Sequence, residues 1–127
     1  MSKKILLIDD DSDFVNANKL LLEKNGFEVV TAFDGEEGLK KAEGENPDLI
    51  VLDVMMKTGT EGFHVAKQIR EIESLKETPV IMLSGIRRDL DMKWDFEPDE
   101  RFLPVTEFLE KPLSPQNLLE KIRQLIG

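Results

Sequence analysis

The segment Lys4-Ile-Leu-Leu-Ile-Asp-Asp-Asp11 decides the fold class of this chain. Its short continuous apolar run suits a central strand of a parallel sheet, because such a strand is covered on both faces and shows no polar face. The next residues, Asp11, Ser12 and Asp13, carry side-chain oxygens that cap the first turn of a helix. The segment therefore predicts a buried strand that leads at once into a helix.

The same alternation of strand and helix repeats to the end of the chain. The first helix is predicted to end at Gly26 and the second at Gly44. Predicted strands cover 4–9, 27–32, 49–53, 79–83 and 105–110, and predicted helices cover 36–43 and 62–75, with a last helix capped by Ser114-Pro115. The apolar face of the first helix is predicted to contain Phe14, Ala17, Leu20 and Leu21. Between Gly85 and Pro104 only a short helix is expected.

Five such alternations predict an α/β fold in which right-handed crossovers build an open, doubly wound, five-stranded parallel sheet with helices on both faces. With 127 residues the chain suits one domain, spanning 1–127. The net charge of −9 argues against direct nucleic-acid binding. The chain has no cysteine and no membrane-spanning apolar run, so we expect a cytoplasmic protein with no membrane partner.

Chemically active residues follow the predicted strands. In open parallel sheets, ligands bind at the carboxyl ends of the strands, near the point where the strand order reverses. The residues at or just beyond these ends are Asp9, Asp10, Asp53, Ser84 and Lys111. We expect them to converge in one shallow cleft.

The acids predict a site for a hard cation. Three crowded carboxylates would repel one another unless a cation neutralised them, and an all-oxygen donor set favours Mg²⁺, with Mn²⁺ as a close substitute. A structural alternative is open, in which Asp10 and Asp11 only cap the first helix and favour its dipole.

Phosphoryl transfer is the chemistry that unites these residues. A carboxylate such as Asp53 can attack a phosphoryl group and form an acyl phosphate, while a lysine such as Lys111 neutralises charge. The Ser84 hydroxyl can donate a hydrogen bond to a phosphoryl oxygen. Taken singly, Lys111 reads as an exposed lysine and Ser84 as turn chemistry, so it is their joint occurrence that favours a phosphoryl-transfer site.

At these residues the sequence resembles the receiver domain family of two-component response regulators, over essentially the whole chain. The matching segments are Ile8-Asp9-Asp10-Asp11, Leu52-Asp53-Val54-Met55-Met56, Leu83-Ser84-Gly85 and Phe108-Leu109-Glu110-Lys111-Pro112. The resemblance implies a flavodoxin-like (βα)5 three-layer sandwich. It also implies a signalling phosphoprotein of a phosphorelay rather than an enzyme, limited to self-phosphorylation and slow self-dephosphorylation.

The resemblance assigns roles to the site residues. It implies that Asp53 is the phosphoacceptor, that Asp10 and Asp53 bind Mg²⁺ directly, and that Asp9 acts through water. The backbone carbonyl of Met55 would complete the protein ligands, and Lys111 would assist catalysis. The phosphodonor would be a sensor histidine kinase or a phosphotransfer protein.

Further implied roles concern switching and lifetime. Ser84 and Phe108 would rearrange on phosphorylation, and Met55 and Ile86 would set how fast the acyl phosphate is hydrolysed. Because the chain ends soon after the last predicted helix, we expect no output domain, and signalling through an unknown downstream protein. The oligomeric state is expected to be a monomer or a phosphorylation-dependent homodimer.

The chain departs from the family pattern after the phosphoacceptor. Lys57 stands where the family usually has proline, and Gly62 comes one residue later than the usual glycine. These departures leave an alternative open, a receiver-fold protein-binding module that acts without phosphorylation. A flavodoxin-like electron carrier is disfavoured because the first strand is followed by three acids instead of a phosphate-binding loop. An aspartyl phosphatase is disfavoured because Met55 replaces its second acid.

Overall fold

The computed structural model of the chain describes residues 3–53, 61–84, 107–110 and 113–126. The strands are β1 (Lys4–Ile8), β2 (Glu28–Ala32), β3 (Leu49–Asp53), β4 (Val80–Ser84) and β5 (Glu107–Glu110). The helices are α1 (Ser12–Lys24), α2 (Gly35–Glu45), α3 (Glu61–Glu71) and α4 (Pro115–Ile126), with a 3₁₀ turn at Glu73–Leu75. The predicted alternation of strands and helices is confirmed for these ranges, but the helix predicted to reach residue 75 ends at Glu71 and is followed by the 3₁₀ turn. The segment predicted as a short helix after Gly85 lies outside the described residues.

The strands form one parallel sheet in the order β2-β1-β3-β4-β5. The order reverses between β1 and β3, because the chain first places β2 on one side of β1 and then returns to the other side. This confirms the doubly wound α/β class. It also locates the crevice in which such sheets bind ligands, at the carboxyl ends of β1 and β3.

Alternate residues of β1, β3 and β4 enter two separate hydrophobic cores, one on each face of the sheet. In β1, Ile5 and Leu7 pack with residues of α1 and α4, whereas Leu6 and Ile8 pack with residues of α2 and α3. All five residues of β3 are buried. The two cores confirm the predicted three layers, and they explain why the central strands show no polar face.

The predicted apolar face of α1 was partly wrong. Leu20 is 58% exposed and Ala17 is exposed, while Val15, Asn18 and Leu22 are buried. Asn18 occupies a core position, and because it is polar the buried face of α1 could not be recognised from the apolar pattern. Its side-chain Nδ2 donates to the Phe14 carbonyl one turn earlier at 2.8 Å, while its buried Oδ1 has no hydrogen-bond partner among the described residues. Docking against the sheet and α4 therefore decides how α1 is rotated about its axis.

The end of α2 also differs from the prediction. Gly44 lies inside the helix, which extends to Glu45 and ends at Asn46 in the left-handed region, with φ of 49°. The Asn46 N–H donates to the Ala42 carbonyl at 3.2 Å. Asparagine tolerates this conformation better than most residues, so it replaces glycine as the terminator. The predicted stop of α1 at Gly26 is confirmed, since Gly26 has φ of 90°.

Candidate functional site

The register of the sheet brings two acids from distant parts of the sequence together. Ile8 pairs with Leu52, so the residues that follow them, Asp9 and Asp53, meet at the carboxyl edge of β1 and β3. The Asp9 N–H donates to the Ala32 carbonyl at the end of β2 at 3.0 Å. Asp9 is therefore held on the far side by β2 while it faces β3.

Asp9, Asp10 and Asp53 form an acidic cluster at this edge. One carboxylate oxygen from each lies within 4.8 Å of the others. The Asp9 and Asp53 residues are only 2% and 3% exposed, whereas Asp10 is more exposed. The Asp11 N–H donates to the Asp9 Oδ1 atom at 2.9 Å, which fixes the orientation of that buried carboxylate. The predicted convergence of these three acids is confirmed.

Capping of α1 is carried out by Asp11. Its Oδ1 atom accepts from the N–H groups of Asp13 and Phe14 at 3.1 and 3.2 Å, as an N-cap side chain does. Among the side-chain caps that the structure gives for α1, Asp10 has no part. The alternative explanation was that Asp10 and Asp11 both cap α1. The structure gives the capping role to Asp11, whereas Asp10 belongs to the acidic cluster.

The acidic cluster fits a small divalent cation. Mg²⁺ binds oxygen at about 2.0–2.1 Å in octahedral geometry, so two bound oxygens lie about 3 Å apart when adjacent and about 4 Å apart when opposite. Oxygens within 4.8 Å of one another exceed these separations by at most about 0.8–1.8 Å. The donors are all carboxylate oxygens, which suit Mg²⁺ or Mn²⁺ rather than softer metals.

The structure describes the other predicted site residues only in part. The backbone of Ser84 ends β4, directly after Leu83, which pairs with Asp53. Ser84 therefore lies at the same edge of the sheet as the acidic cluster. Phe108 lies in β5 and pairs with Met82. The side chains of Ser84 and Phe108, and the residues Met55, Ile86 and Lys111 as a whole, lie outside what the structure describes, so their roles stay predictions.

Sequence reasoning missed a close contact between α2 and the residue that precedes the acidic cluster. Gly38 of α2 lies directly against Ile8, the residue before Asp9. A glycine in a helix interior is unfavourable by about 1 kcal/mol relative to alanine, so its presence within a predicted helix was a signal of close packing. The β2–α2 turn next to it is fixed by Asp34, whose Oδ1 atom accepts from the Glu37 N–H at 2.8 Å.

A sequence model of the response regulator receiver domain matches residues 5–123 of the chain. The chain belongs to this family. The receiver domain is 38% identical over 126 residues to the alkaline phosphatase synthesis transcriptional regulatory protein PhoP of Bacillus subtilis, covering 99% of this chain and 49% of PhoP. It is 37% identical over 123 residues to the transcriptional regulatory protein CpxR of Escherichia coli, covering 97% of this chain and 49% of CpxR. The receiver domain thus spans about half the length of these relatives.

Solved structures give the same result. The chemotaxis response regulator CheY4 of Vibrio cholerae superposes with a TM-score of 0.83 at 30% identity, over 99% of this chain and 100% of that one. The family membership, in the receiver domains of two-component response regulators, and the flavodoxin-like fold are therefore confirmed. Within the described part of the chain, no helix is both long enough and apolar enough to span a bilayer.

Proposed function

We propose that this receiver domain accepts a phosphoryl group on Asp53 in a Mg²⁺-dependent reaction and changes conformation in response. The observation that carries the proposal is the burial of Asp53 at the carboxyl end of β3, with oxygens of Asp9 and Asp10 within 4.8 Å. A carboxylate in this setting can act as the nucleophile toward phosphorus, and two further carboxylates that can bind a cation lie beside it at the end of β1. Its role is that of a phosphoacceptor with self-phosphorylation and slow self-dephosphorylation.

Each residue has a distinct part in the proposed reaction. Asp10, Asp53 and the Met55 carbonyl would hold the cation directly, and Asp9 would hold it through water. When bound, the cation neutralises charge on the phosphoryl oxygens. An oxygen of Asp53 would form a bond to phosphorus while the bond between phosphorus and the histidine nitrogen of the phosphodonor breaks.

Two more side chains complete the proposed reaction. Lys111 would pair with the phosphoryl group once it is on Asp53. Ser84 would donate a hydrogen bond to one of the phosphoryl oxygens, and that bond would couple phosphorylation to a rearrangement of Phe108.

The proposed phosphodonor is the phosphohistidine of a sensor histidine kinase or of a phosphotransfer protein. Two relatives, PhoP and CpxR, are transcriptional regulators about twice as long as this chain. We propose that the receiver domain itself does not bind nucleic acid, because its net charge is −9. Its effect would pass to a downstream protein, as a monomer or as a phosphorylation-dependent homodimer. The single-domain organisation and the cytoplasmic location stay predictions.

Intact-mass spectrometry tests the assignment of Asp53. The wild type, Asp53→Asn and Asp48→Asn are each incubated with phosphoramidate and Mg²⁺. Asp48 is a matched control, because it is an exposed aspartate just before β3, about 16 Å from Asp53 at about 3.3 Å per residue. We expect one phosphoryl group, labile in acid and base, on the wild type and on Asp48→Asn, and none on Asp53→Asn. Equal phosphorylation of all three would show that Asp53 is not the acceptor.

The same experiment separates the proposal from its alternative. A receiver-fold binding module that acts without phosphorylation would gain no phosphoryl group in any of the three proteins. A titration with beryllofluoride and Mg²⁺, followed through the fluorescence of the single tryptophan Trp94, gives a second readout. A saturable change that depends on Mg²⁺ and is lost in Asp53→Asn is the result expected of a phosphoacceptor.

A further inference from the structure

The close approach of α2 to β1 depends on Gly38. A Cβ atom built on Gly38 would lie 2.7 Å from Ile8 Cδ1, 2.9 Å from Cγ2 and 3.0 Å from Cγ1. Carbon atoms in contact are normally about 3.5–4.0 Å apart, so any side chain at this position requires a movement of about 1 Å. Ile8 is fully buried, and its branching at Cβ restricts the rotamers through which it could move aside. The helix and the strand therefore have no free space between them at this point.

Such a contact can be relieved by a movement of Ile8 or by a movement of α2, and either movement would displace the backbone of Asp9. Ile8 is bonded directly to Asp9, so a shift of Ile8 away from α2 moves the backbone that carries the buried carboxylate. The alternative is a shift of α2 away from the sheet. The Gly38 N–H donates to the Asp34 carbonyl at 2.9 Å, and Asp34 is two residues after Ala32, whose carbonyl accepts from the Asp9 N–H at 3.0 Å.

The turn between β2 and α2 has little capacity to absorb that movement. The Phe33 N–H donates to the Glu37 Oε1 atom at 2.9 Å, and the Glu37 N–H donates to the Asp34 Oδ1 atom at 2.8 Å. These two bonds, to the N-cap Asp34 and to the residue before it, fasten the first turn of α2 to the end of β2. A displaced helix would consequently pull on the strand end that holds Asp9.

We propose that Gly38 is a positioning residue of the acidic cluster: the missing side chain lets α2 seat against Ile8 and thereby sets the place of Asp9. This inference rests on the proposed metal site and adds a residue, on a different element, that tunes its affinity. Because Asp9 would hold the cation through water, a shift of about 1 Å in its carboxylate would displace that water from the near-ideal octahedral geometry that Mg²⁺ demands.

Titration with Mn²⁺, followed by the electron paramagnetic resonance signal of the free ion, measures the affinity without any phosphoryl transfer. The matched control is Gly44→Ala, because Gly44 lies in the same helix and a Cβ there would meet nothing within 4 Å. We expect Gly38→Ala to weaken Mn²⁺ binding by about tenfold, or roughly 1.4 kcal/mol. Gly44→Ala should bind Mn²⁺ as the wild type does. Urea unfolding without metal reports the stability of each protein separately.

A second background distinguishes positioning from a general loss of stability. Ile8→Val removes Cδ1, the nearest of the three atoms. Cγ1 and Cγ2 remain at 3.0 and 2.9 Å in that background, so we expect Gly38→Ala still to weaken Mn²⁺ binding, but by only about threefold, since two residues in contact are energetically coupled. If Gly38→Ala does not fold alone, binding to Ile8→Val with and without Gly38→Ala decides the matter: weaker binding with it supports the inference, and equal binding overturns it.

The outcomes separate the two proposals. A wild type that binds no Mn²⁺ would overturn the metal site itself. Normal binding by the wild type together with unchanged binding by a folded Gly38→Ala protein would overturn only the role of Gly38. A fall in stability of Gly38→Ala without a change in affinity would also overturn it, because Gly38 would then contribute to packing alone.

Discussion

Two neighbouring acids, Asp10 and Asp11, are predicted to affect stability in opposite directions when each is replaced by alanine. Asp10 belongs to the acidic cluster, where its carboxylate lies close to those of Asp9 and Asp53. Asp11 accepts hydrogen bonds from the Asp13 and Phe14 N–H groups and caps α1. Asp10→Ala therefore removes repulsion, whereas Asp11→Ala removes a favourable contact.

The size of the Asp10 effect follows from Coulomb's law. Two unit charges 4.8 Å apart, the limit within which the cluster oxygens lie, repel by about 0.9 kcal/mol at the dielectric constant of water and by about 3.5 kcal/mol at an effective value of 20. The water value is appropriate to Asp10, which is the more exposed member of the cluster. With two neighbours and screening over a Debye length of about 8 Å, we expect Asp10→Ala to stabilise the metal-free protein by about 1–2 kcal/mol.

Magnesium should reverse the order of stability of the wild type and Asp10→Ala. At a Mg²⁺ concentration of about 100 times Kd, binding stabilises the wild type by about 2.7 kcal/mol. Asp10→Ala lacks a direct ligand and should gain almost nothing, so it becomes the less stable of the two proteins by about 1 kcal/mol. Asp11→Ala should lose about 1 kcal/mol of capping energy with and without Mg²⁺.

Urea unfolding monitored by circular dichroism measures all three proteins, in EDTA and in Mg²⁺. For an m value of about 2 kcal/mol/M, the predicted changes correspond to shifts of about 0.5–1 M in the midpoint. A metal-free Asp10→Ala protein destabilised as much as Asp11→Ala would refute the assignment, because Asp10 would then support the helix. Retention of the full Mg²⁺ stabilisation by Asp10→Ala would refute it equally.

Two more predictions concern the lifetime of the phosphorylated state and the end of α3. Replacing Met55 with Asn and Ile86 with Glu is expected to accelerate phosphate loss by about tenfold, which corresponds to about 1.4 kcal/mol of barrier. The reason is that neither native side chain can orient the attacking water. Equally fast decay of the wild type at matched Mg²⁺ and pH would contradict this prediction. Arg70→Met should lower the free energy of unfolding by about 2 kcal/mol, measured in urea, because the Arg70 Nη1 atom lies 2.6–3.1 Å from the carbonyl oxygens of Leu75, Lys76 and Thr78. An unchanged midpoint would show that the turn after α3 holds without it.

The order and type of the elements could be read from the sequence because the signals are local. The apolar run before Asp9 and the terminators around each helix depend only on residues near them in the chain, and β1 was confirmed at Lys4–Ile8. The cap of α4 was also confirmed, since the Asn117 N–H donates to the Ser114 Oγ atom at 3.1 Å. Because ligands meet the carboxyl ends of parallel strands, the same local pattern predicted the acidic cluster.

The rotation of each helix and the division of labour among the acids were decided only by tertiary structure. Which side of α1 is buried depends on docking against α4 and the sheet, so Leu20 was placed wrongly in the core. Asp10 and Asp11 are alike in sequence, and only the folded backbone directs one to the acidic cluster and the other to the first turn of α1. The seating of Gly38 on Ile8 joins residues thirty positions apart. Local chemistry thus determined the elements, whereas contacts between elements far apart in the chain, formed only on packing, decided how the site is held.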